Sequence, residues 1–203
     1  MNILCFGDSN TFGISPIDGK RLSEVERWPT LLKQMLGIGF EVIEAGQPNR
    51  TLVNDPPFDG DKSGIKYLKP YLEAQPLDVI IIQLGTNDLK ARFALSAIDI
   101  GKALEKLVLA IKAFYHDKAQ PKIIILSPPK VYEVGSYKSI YAGAGKKAEQ
   151  LSLEFKAMAY RHTCEFLDCY PLIQPCKKEG IHLPVSEHRG LANSLKDVVR
   201  TSI

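Results

Sequence analysis

Four short segments carry residue types able to do chemistry, and they lie far apart in the chain. Gly7-Asp8-Ser9-Asn10-Thr11-Phe12-Gly13 places a hydroxyl on the turn that leaves an apolar run. If a helix starts there, its free backbone N–H groups face whatever binds beside the serine and can stabilise negative charge on an oxygen. Ala45-Gly46-Gln47-Pro48-Asn49-Arg50-Thr51 follows a second apolar run, and Gly46 permits a backbone N–H to approach a ligand closely. Gly85-Thr86-Asn87-Asp88 offers Asn87, an amide donor that suits an oxyanion because it does not titrate. In Glu179-Gly180-Ile181-His182 a carboxylate precedes an imidazole by three residues, with a glycine between them. The carboxylate can fold back to accept the Nδ1 proton and leave Nε2 as a base.

Each signal has a plainer reading on its own. Ser9 fits a helix cap or turn, Gly46 a turn glycine, Asn87 a strand-to-helix turn and His182 a structural loop residue. Together they supply a nucleophile, two kinds of donor and an acid–base pair, which is the set acyl transfer requires. His116, His162 and His188 show no such arrangement and read as surface or helix-end residues. A second enzyme class would use Asp8, Asp88, Glu179 and His182 as Mn²⁺ or Zn²⁺ ligands in a phosphodiesterase. No ligand-spacing motif such as H-E-x-x-H supports it. A third reading is a nucleotide- or partner-binding domain. Neither phosphate-loop fingerprint fits, because G-x-x-x-x-G-K-[ST] is absent and Gly37-Ile38-Gly39 follows a helix.

The elements that must position these residues alternate along the chain. Apolar runs at residues 2–6, 40–44, 77–84, 122–126 and 164–168 read as strands, with Asp78 and Gln83 near the ends of the third. Helices are expected over residues 27–37, 63–74 (interrupted by Pro70), 96–116, 144–162 and 186–202. Ser96 is a natural cap for the third of them. Residues 46–61, 130–143 and 171–185 carry Gly, Pro and polar residues and read as loops. Five strands alternating with helices imply a parallel sheet covered on both faces, with ligands beyond the carboxyl ends of its strands.

Composition sets the outer limits. The 203 residues are 45% hydrophobic and 24% charged with a net charge of +3, which argues for one ordered globular domain over the whole chain. A chain this long buries roughly 70% of its extended-state surface and needs no metal or disulfide to fold. The mild charge gives no support for nucleic-acid binding, and the longest apolar runs are far too short to span a bilayer. The start of the chain shows no basic segment followed by an apolar core and cleavage site. Cys5, Cys164, Cys169 and Cys176 form no CxxC pair, so a cytoplasmic location with four reduced thiols is expected.

In this order the blocks resemble those of the SGNH hydrolases, also called the GDSL family of esterases and lipases. The match is carried by Gly7-Asp8-Ser9, Gly46, Gly85-x-Asn87-Asp88 and His182, over essentially the whole chain. Arg27-Trp28, Glu41-Val42-Ile43-Glu44, Arg50-Thr51 and Leu84 to Asp88 are similar to the arylesterase/acyltransferase branch. The resemblance implies a flavodoxin-like three-layer α/β/α fold with a five-stranded parallel sheet of order 2-1-3-4-5. It implies a serine esterase without metal or cofactor, in which Ser9 is the nucleophile and His182 the general base and then acid. The Ser9 and Gly46 backbone N–H groups and the Asn87 amide would form the oxyanion hole, with Asp8 and Asp88 in supporting positions.

Two positions depart from the family pattern. Asn10 stands where the four-letter name has Leu, and Glu179 stands where an Asp is usual. Glu is a triad acid in other hydrolases, but its extra methylene must be absorbed by the loop or by a folded side chain. If it is not, a Ser9–His182 dyad remains, and Asp168 lies too far back along the chain to replace Glu179. Thr11, two residues after Ser9, replaces the second glycine of the G-x-S-x-G elbow and argues against an α/β-hydrolase. The expected substrate is a small ester with a short acyl group, with transfer to alcohols as a further activity. The alternative is a weakened or non-catalytic ligand-binding protein on the same fold. Phe12, Trp28 and Tyr141 are candidates either for apolar pocket walls or for packing. The expected partners exclude nucleic acid and membrane, and homo-oligomers are common in the branch.

Overall fold

A computed structural model describes residues 1–52 and 64–203. Strands β1 (Asn2–Gly7), β2 (Glu41–Gly46), β3 (Val79–Gln83), β4 (Lys122–Leu126) and β5 (Glu165–Leu167) form one parallel sheet in the order β2-β1-β3-β4-β5. This is the expected order. The central strands are buried on both faces, which is why their sequences are nearly unbroken apolar runs.

The two-residue period of a strand divides the core into two layers. Leu4, Phe6, Ile80, Ile82, Ile123 and Ile125 face one side. There they pack on helices α3 (Gly64–Ala74), α4 (Ala97–Phe114) and α5 (Ala144–Arg161) through residues such as Leu68, Leu104, Leu107, Leu151 and Phe155. Ile3, Cys5, Val79, Ile81, Ile124 and Leu126 face the other side. They meet α2 (Trp28–Leu36) and α7 (Val185–Ser202) through Trp28, Leu32, Leu191, Leu195 and Val199. Each such fully buried aliphatic side chain contributes about 1.5–3 kcal/mol.

Several local features follow the expected chemistry. Ser96 caps α4, its Oγ accepting the Asp99 N–H while Asp99 accepts from the Ser96 backbone in return. Others differ. Pro70 lies inside α3 without ending it. Strand β2 runs on to Gly46, so that glycine closes the strand rather than following it. Two short helices, α1 (Ser9–Phe12) and α6 (Cys169–Leu172), stand where turns or loops are read from sequence. The loop expected over 46–61 falls outside the described residues from 53 onward. The four cysteines are all unpaired. Among the described residues, no helix is long and apolar enough to cross a membrane.

Register is what matters for the site. Gly7 pairs with Gly46 on one side and Gln83 on the other, so three strands end level with one another. The chain segments that leave these ends carry Ser9, Arg50 and Asn87.

Candidate active site

The turn that carries Ser9 is built at the end of β1. The Asp8 N–H still reaches the Gln83 carbonyl of β3 at 3.3 Å, and α1 then begins at Ser9. Asp8 caps that helix, its Oδ1 accepting the Asn10 N–H at 2.9 Å. Ser9 is the first residue of the helix, where a backbone N–H has no partner inside the helix. The Thr11 hydroxyl and the Trp28 indole N–H both donate to Gln83 Oε1, at 2.7 and 3.1 Å, fixing α1 against β3 and α2. Gly46 lies directly under α1. A Cβ there would overlap the backbone of Thr11 and Phe12, so no other residue lets the end of β2 approach the serine turn so closely.

The histidine arrives from the loop between α6 and α7. His182 Nε2 lies 3.0 Å from Ser9 Oγ, although 173 residues separate them. On the other side of the ring, Nδ1 lies 2.6 Å from Glu179 Oε1. Glu179 Oε2 accepts the backbone N–H groups of Ile181 and His182 at 2.9 and 2.8 Å. The longer side chain is therefore folded back over its own loop, with one oxygen on the backbone and one on the imidazole. The loop is closed by Cys176, whose carbonyl accepts from Glu179 and Gly180 and whose N–H donates to the His182 carbonyl. Gly180 has φ of +108°, and a Cβ there would strike the Tyr132 carbonyl. Glycine is thus required for the turn that returns Glu179 to the ring. Burial raises the Glu179 carboxyl pKa, but the hydrogen bonds from the His182 ring and the two backbone N–H groups outweigh it and hold it below the usual range. A carboxylate on Nδ1 fixes the tautomer that leaves Nε2 as the base toward Ser9.

Asn87 sits at the end of β3, in a single helical turn at residues 87–89. Its Nδ2 donates to the Arg50 carbonyl at 3.0 Å, and its Oδ1 accepts from the Tyr141 hydroxyl at 3.3 Å. These two bonds define which end of the amide is nitrogen and occupy one of its two N–H bonds. Asp88 instead receives the Leu52 N–H on both carboxylate oxygens, at 3.0 and 3.1 Å, and braces the loop after β2. Asp8 is almost wholly buried; burial raises its pKa to about 6, against the Asn10 N–H and the charges of His182, Lys90 and Arg50.

Ser9, His182 and Glu179 thus come together as one hydrogen-bonded chain, while Asn87 follows the level end of β3 and Gly46 ends the edge strand β2 beneath α1. The metal-ligand alternative does not assemble: among the described residues, no three His, Cys, Asp or Glu side chains converge. Asp168 is occupied elsewhere, accepting from Ser127 and Ser152 and capping α6 through the Tyr170 N–H. This arrangement deploys a hydroxyl, a base, an orienting acid and neutral donors at the carboxyl end of a parallel sheet.

The sequence profile of the GDSL-like lipase/acylhydrolase family matches residues 5–184. The chain belongs to this family. Similar solved structures include a carbohydrate acetylesterase from Sinorhizobium meliloti, 30% identical with a TM-score of 0.95, the match covering 100% of this chain and 99% of that one. An aryl esterase from M. smegmatis is 34% identical with a TM-score of 0.94, again covering 100% and 99% of the two chains. Comparison with curated protein sequences gave no match. The protein is a carboxylic ester hydrolase with the SGNH hydrolase fold.

Some expectations need correction within this GDSL esterase. Trp28 and Tyr141 are fully buried and hydrogen-bonded, so they are not pocket walls, while Phe12 is half-buried beneath the Arg21 guanidinium. His188 is not a surface residue: it has no exposed area, and its Nδ1 accepts the Trp28 N–H at 3.3 Å. His116 is exposed, and His162 stands at the end of α5, where its Nε2 meets Glu105. The sequence assigns no role to Asn10, Gln83 or Arg50, and it offers Tyr141 only as a pocket wall or a packing residue. A polar residue ending an apolar strand was the available signal for Gln83; the others carried none beyond the family resemblance of Arg50-Thr51.

Proposed function

We propose that this GDSL hydrolase is a serine esterase of small, short-acyl esters that works through an acyl-enzyme on Ser9. The observation that carries the reading is the unbroken chain from Ser9 Oγ through His182 to Glu179, at 3.0 and 2.6 Å. His182 Nε2 takes the Ser9 proton as Oγ attacks the ester carbonyl. The resulting oxyanion is held by the Ser9 and Gly46 backbone N–H groups and the remaining Asn87 N–H. When the tetrahedral intermediate collapses, His182 gives its proton to the departing alcohol. Water, or a second alcohol, then loses a proton to His182 and attacks the acyl group, restoring Ser9. Short acetyl and aryl esters are the preferred class, by likeness to the carbohydrate acetylesterase and the aryl esterase. The reading includes a reducing, cytoplasmic setting, which the four unpaired thiols suit.

The test is turnover of p-nitrophenyl acetate, butyrate and octanoate by the wild type, Ser9→Ala and Asn87→Ala, with a fluorophosphonate probe in parallel. The expected result is turnover falling with acyl length, abolished by Ser9→Ala, and probe labelling confined to Ser9. Retained hydrolysis by a folded Ser9→Ala protein would remove the nucleophile assignment. An unlabelled, inactive wild type would favour a ligand-binding protein on this fold.

A further inference from the structure

We propose that Tyr137 is a positioning residue for the acid–base pair: its ring clamps the His182 imidazole in the plane that joins Ser9 to Glu179 and keeps water from the bond between Nδ1 and Glu179. This rests on the reading of Ser9, His182 and Glu179 given above.

The two ring nitrogens bond in the plane of the imidazole, Nε2 toward Ser9 Oγ at 3.0 Å and Nδ1 toward Glu179 Oε1 at 2.6 Å. Such bonds resist sliding of the ring but oppose only weakly its tilt about the line through the two nitrogens. Restraint on that tilt must come from packing, and Tyr137 supplies it. Its ring centroid lies 5.9 Å from that of His182 with the planes at 75°, the edge-to-face arrangement that aromatic pairs favour. The edge of one ring abuts the face of the other, so the imidazole cannot tilt without breaking the contact.

Tyr137 is itself held. It ends a single helical turn at Gly135–Tyr137, and its N–H donates to the Val134 carbonyl at 3.2 Å. Its carbonyl accepts the Tyr141 N–H at 2.9 Å, and its ring meets the Tyr141 ring at 6.0 Å and 65°. Tyr141 is fully buried, with its hydroxyl on Asn87 Oδ1. Earlier in the same loop, the Tyr132 N–H donates to the Gly180 carbonyl at 2.9 Å. The loop between β4 and α5 thus reaches the acid's loop through Tyr132, the base through Tyr137 and the Asn87 amide through Tyr141.

The same ring limits solvent. The His182 and Glu179 side chains are only 9% and 17% exposed. Tyr137 also lines an open cavity of about 370 Å³, with Asn49, Lys90, Arg92, Ser139 and Ile140. It touches both that cavity and the imidazole, so a smaller side chain would open the acid–base pair to water. Burial, and then the charge of Glu179, raise the phenol pKa; the hydroxyl near the acid stays protonated and adds no second negative charge. A pair kept from water interacts more strongly, which favours the imidazolium that forms as Ser9 attacks.

The experiment compares wild type, Tyr137→Phe, Tyr137→Leu and Ser9→Ala, each checked for cooperative unfolding, with p-nitrophenyl acetate. NMR of the His182 Nδ1 proton, the one shared with Glu179, gives a second readout. The expected result for Tyr137→Leu is a kcat loss of about 10–100-fold with KM changed less than about threefold. Its Nδ1 proton should exchange with water faster than in wild type, and Tyr137→Phe, which keeps the ring, should recover most of both. A residue that only walls the cavity would raise KM and leave kcat, and that result overturns the inference. So does a kcat within about threefold of wild type in Tyr137→Leu, a Tyr137→Phe protein as impaired as Tyr137→Leu, or a kcat loss with proton exchange unchanged. Retained turnover in Ser9→Ala is a different failure, because it removes the esterase reading itself. Should Tyr137→Leu not fold, the wild type decides: nuclear Overhauser contacts between the two rings together with a slowly exchanging Nδ1 proton support the clamp, and their absence overturns it.

Discussion

Asn10 Oδ1 accepts the Leu183 N–H at 3.1 Å, while its Nδ2 donates to the Ile181 carbonyl at 3.3 Å. The residue after Ser9 therefore grips the chain on both sides of His182. The site's two halves are joined by side-chain amide bonds to backbone as well as by the Ser9–His182 contact. A Leu at this position could make neither bond. Asn10→Leu is expected to leave two buried backbone groups unsatisfied, at about 1–3 kcal/mol each in stability. It should also lower kcat by about 10-fold or more as His182 loses its fixed distance to Ser9. Denaturation midpoints and steady-state kinetics on the same preparation check both; an unchanged kcat would show that the Glu179 loop places His182 unaided.

Glu179 offers a sharper test of the triad. Its two oxygens divide the work, Oε2 on the Ile181 and His182 N–H groups and Oε1 on the ring. Glu179→Gln puts an amide against Nδ1 and disturbs the tautomer, so kcat should drop by about 10²–10⁴ with the protein still folded. Glu179→Asp is one methylene too short to serve the backbone and the ring together, and should fall between the two. A loss under about 10-fold in Glu179→Gln would mean that Ser9 and His182 work as a dyad.

The strands and helices were legible because buried parallel strands are written as short apolar runs and the helices between them keep a period near 3.6, whereas the strand order came only from the family resemblance. Ser9 and His182 stood out as candidates only together with the other blocks, since each has a plainer turn or loop reading alone. What the sequence does not display is the bracing. Gln83 looks like a polar strand end until Thr11 and Trp28 both reach its Oε1. Arg50 looks like a loop cation until the Asn49 turn folds it beneath β2. Tyr141 looks like a pocket aromatic until its hydroxyl meets Asn87. Each depends on contacts between segments distant in sequence, and a local pattern carries no trace of those.

The buried Asp8 carboxyl makes a prediction about stability. Its pKa, raised chiefly by burial to about 6, lies above its unfolded value near 3.8. Between those values the native state holds a proton that the unfolded chain has released, so its contribution to stability is lost as pH rises through about 6. Above that pH the fold carries a buried carboxylate. Asp8→Asn keeps an oxygen for the Asn10 N–H and removes the charge. The variant should unfold at a higher temperature than wild type at pH 8, with the difference shrinking toward zero near pH 4. A constant difference across that range, measured by thermal unfolding, would place the cost elsewhere.

His188 carries the opposite sign. Burial, and then the charge of Arg27, depress its pKa to about 4, below the unfolded value near 6.5. The reason is visible in the packing: Nδ1 must stay unprotonated to accept the Trp28 N–H, the first amide of α2 and one with no partner inside that helix. Between pH 6.5 and 4 the unfolded chain takes up a proton that the native state refuses. Stability therefore falls as pH drops through this window, by about 1.4 kcal/mol per pH unit and on the order of 3 kcal/mol in all. Asp8 works against this trend over much of the same range, so the wild-type profile alone cannot separate the two. The difference between wild type and His188→Gln can, because glutamine supplies an acceptor that does not titrate. Urea midpoints at pH 7 and pH 5 should diverge less in His188→Gln than in wild type; equal divergence would show that the imidazole is not what couples the α2–α7 contact to pH.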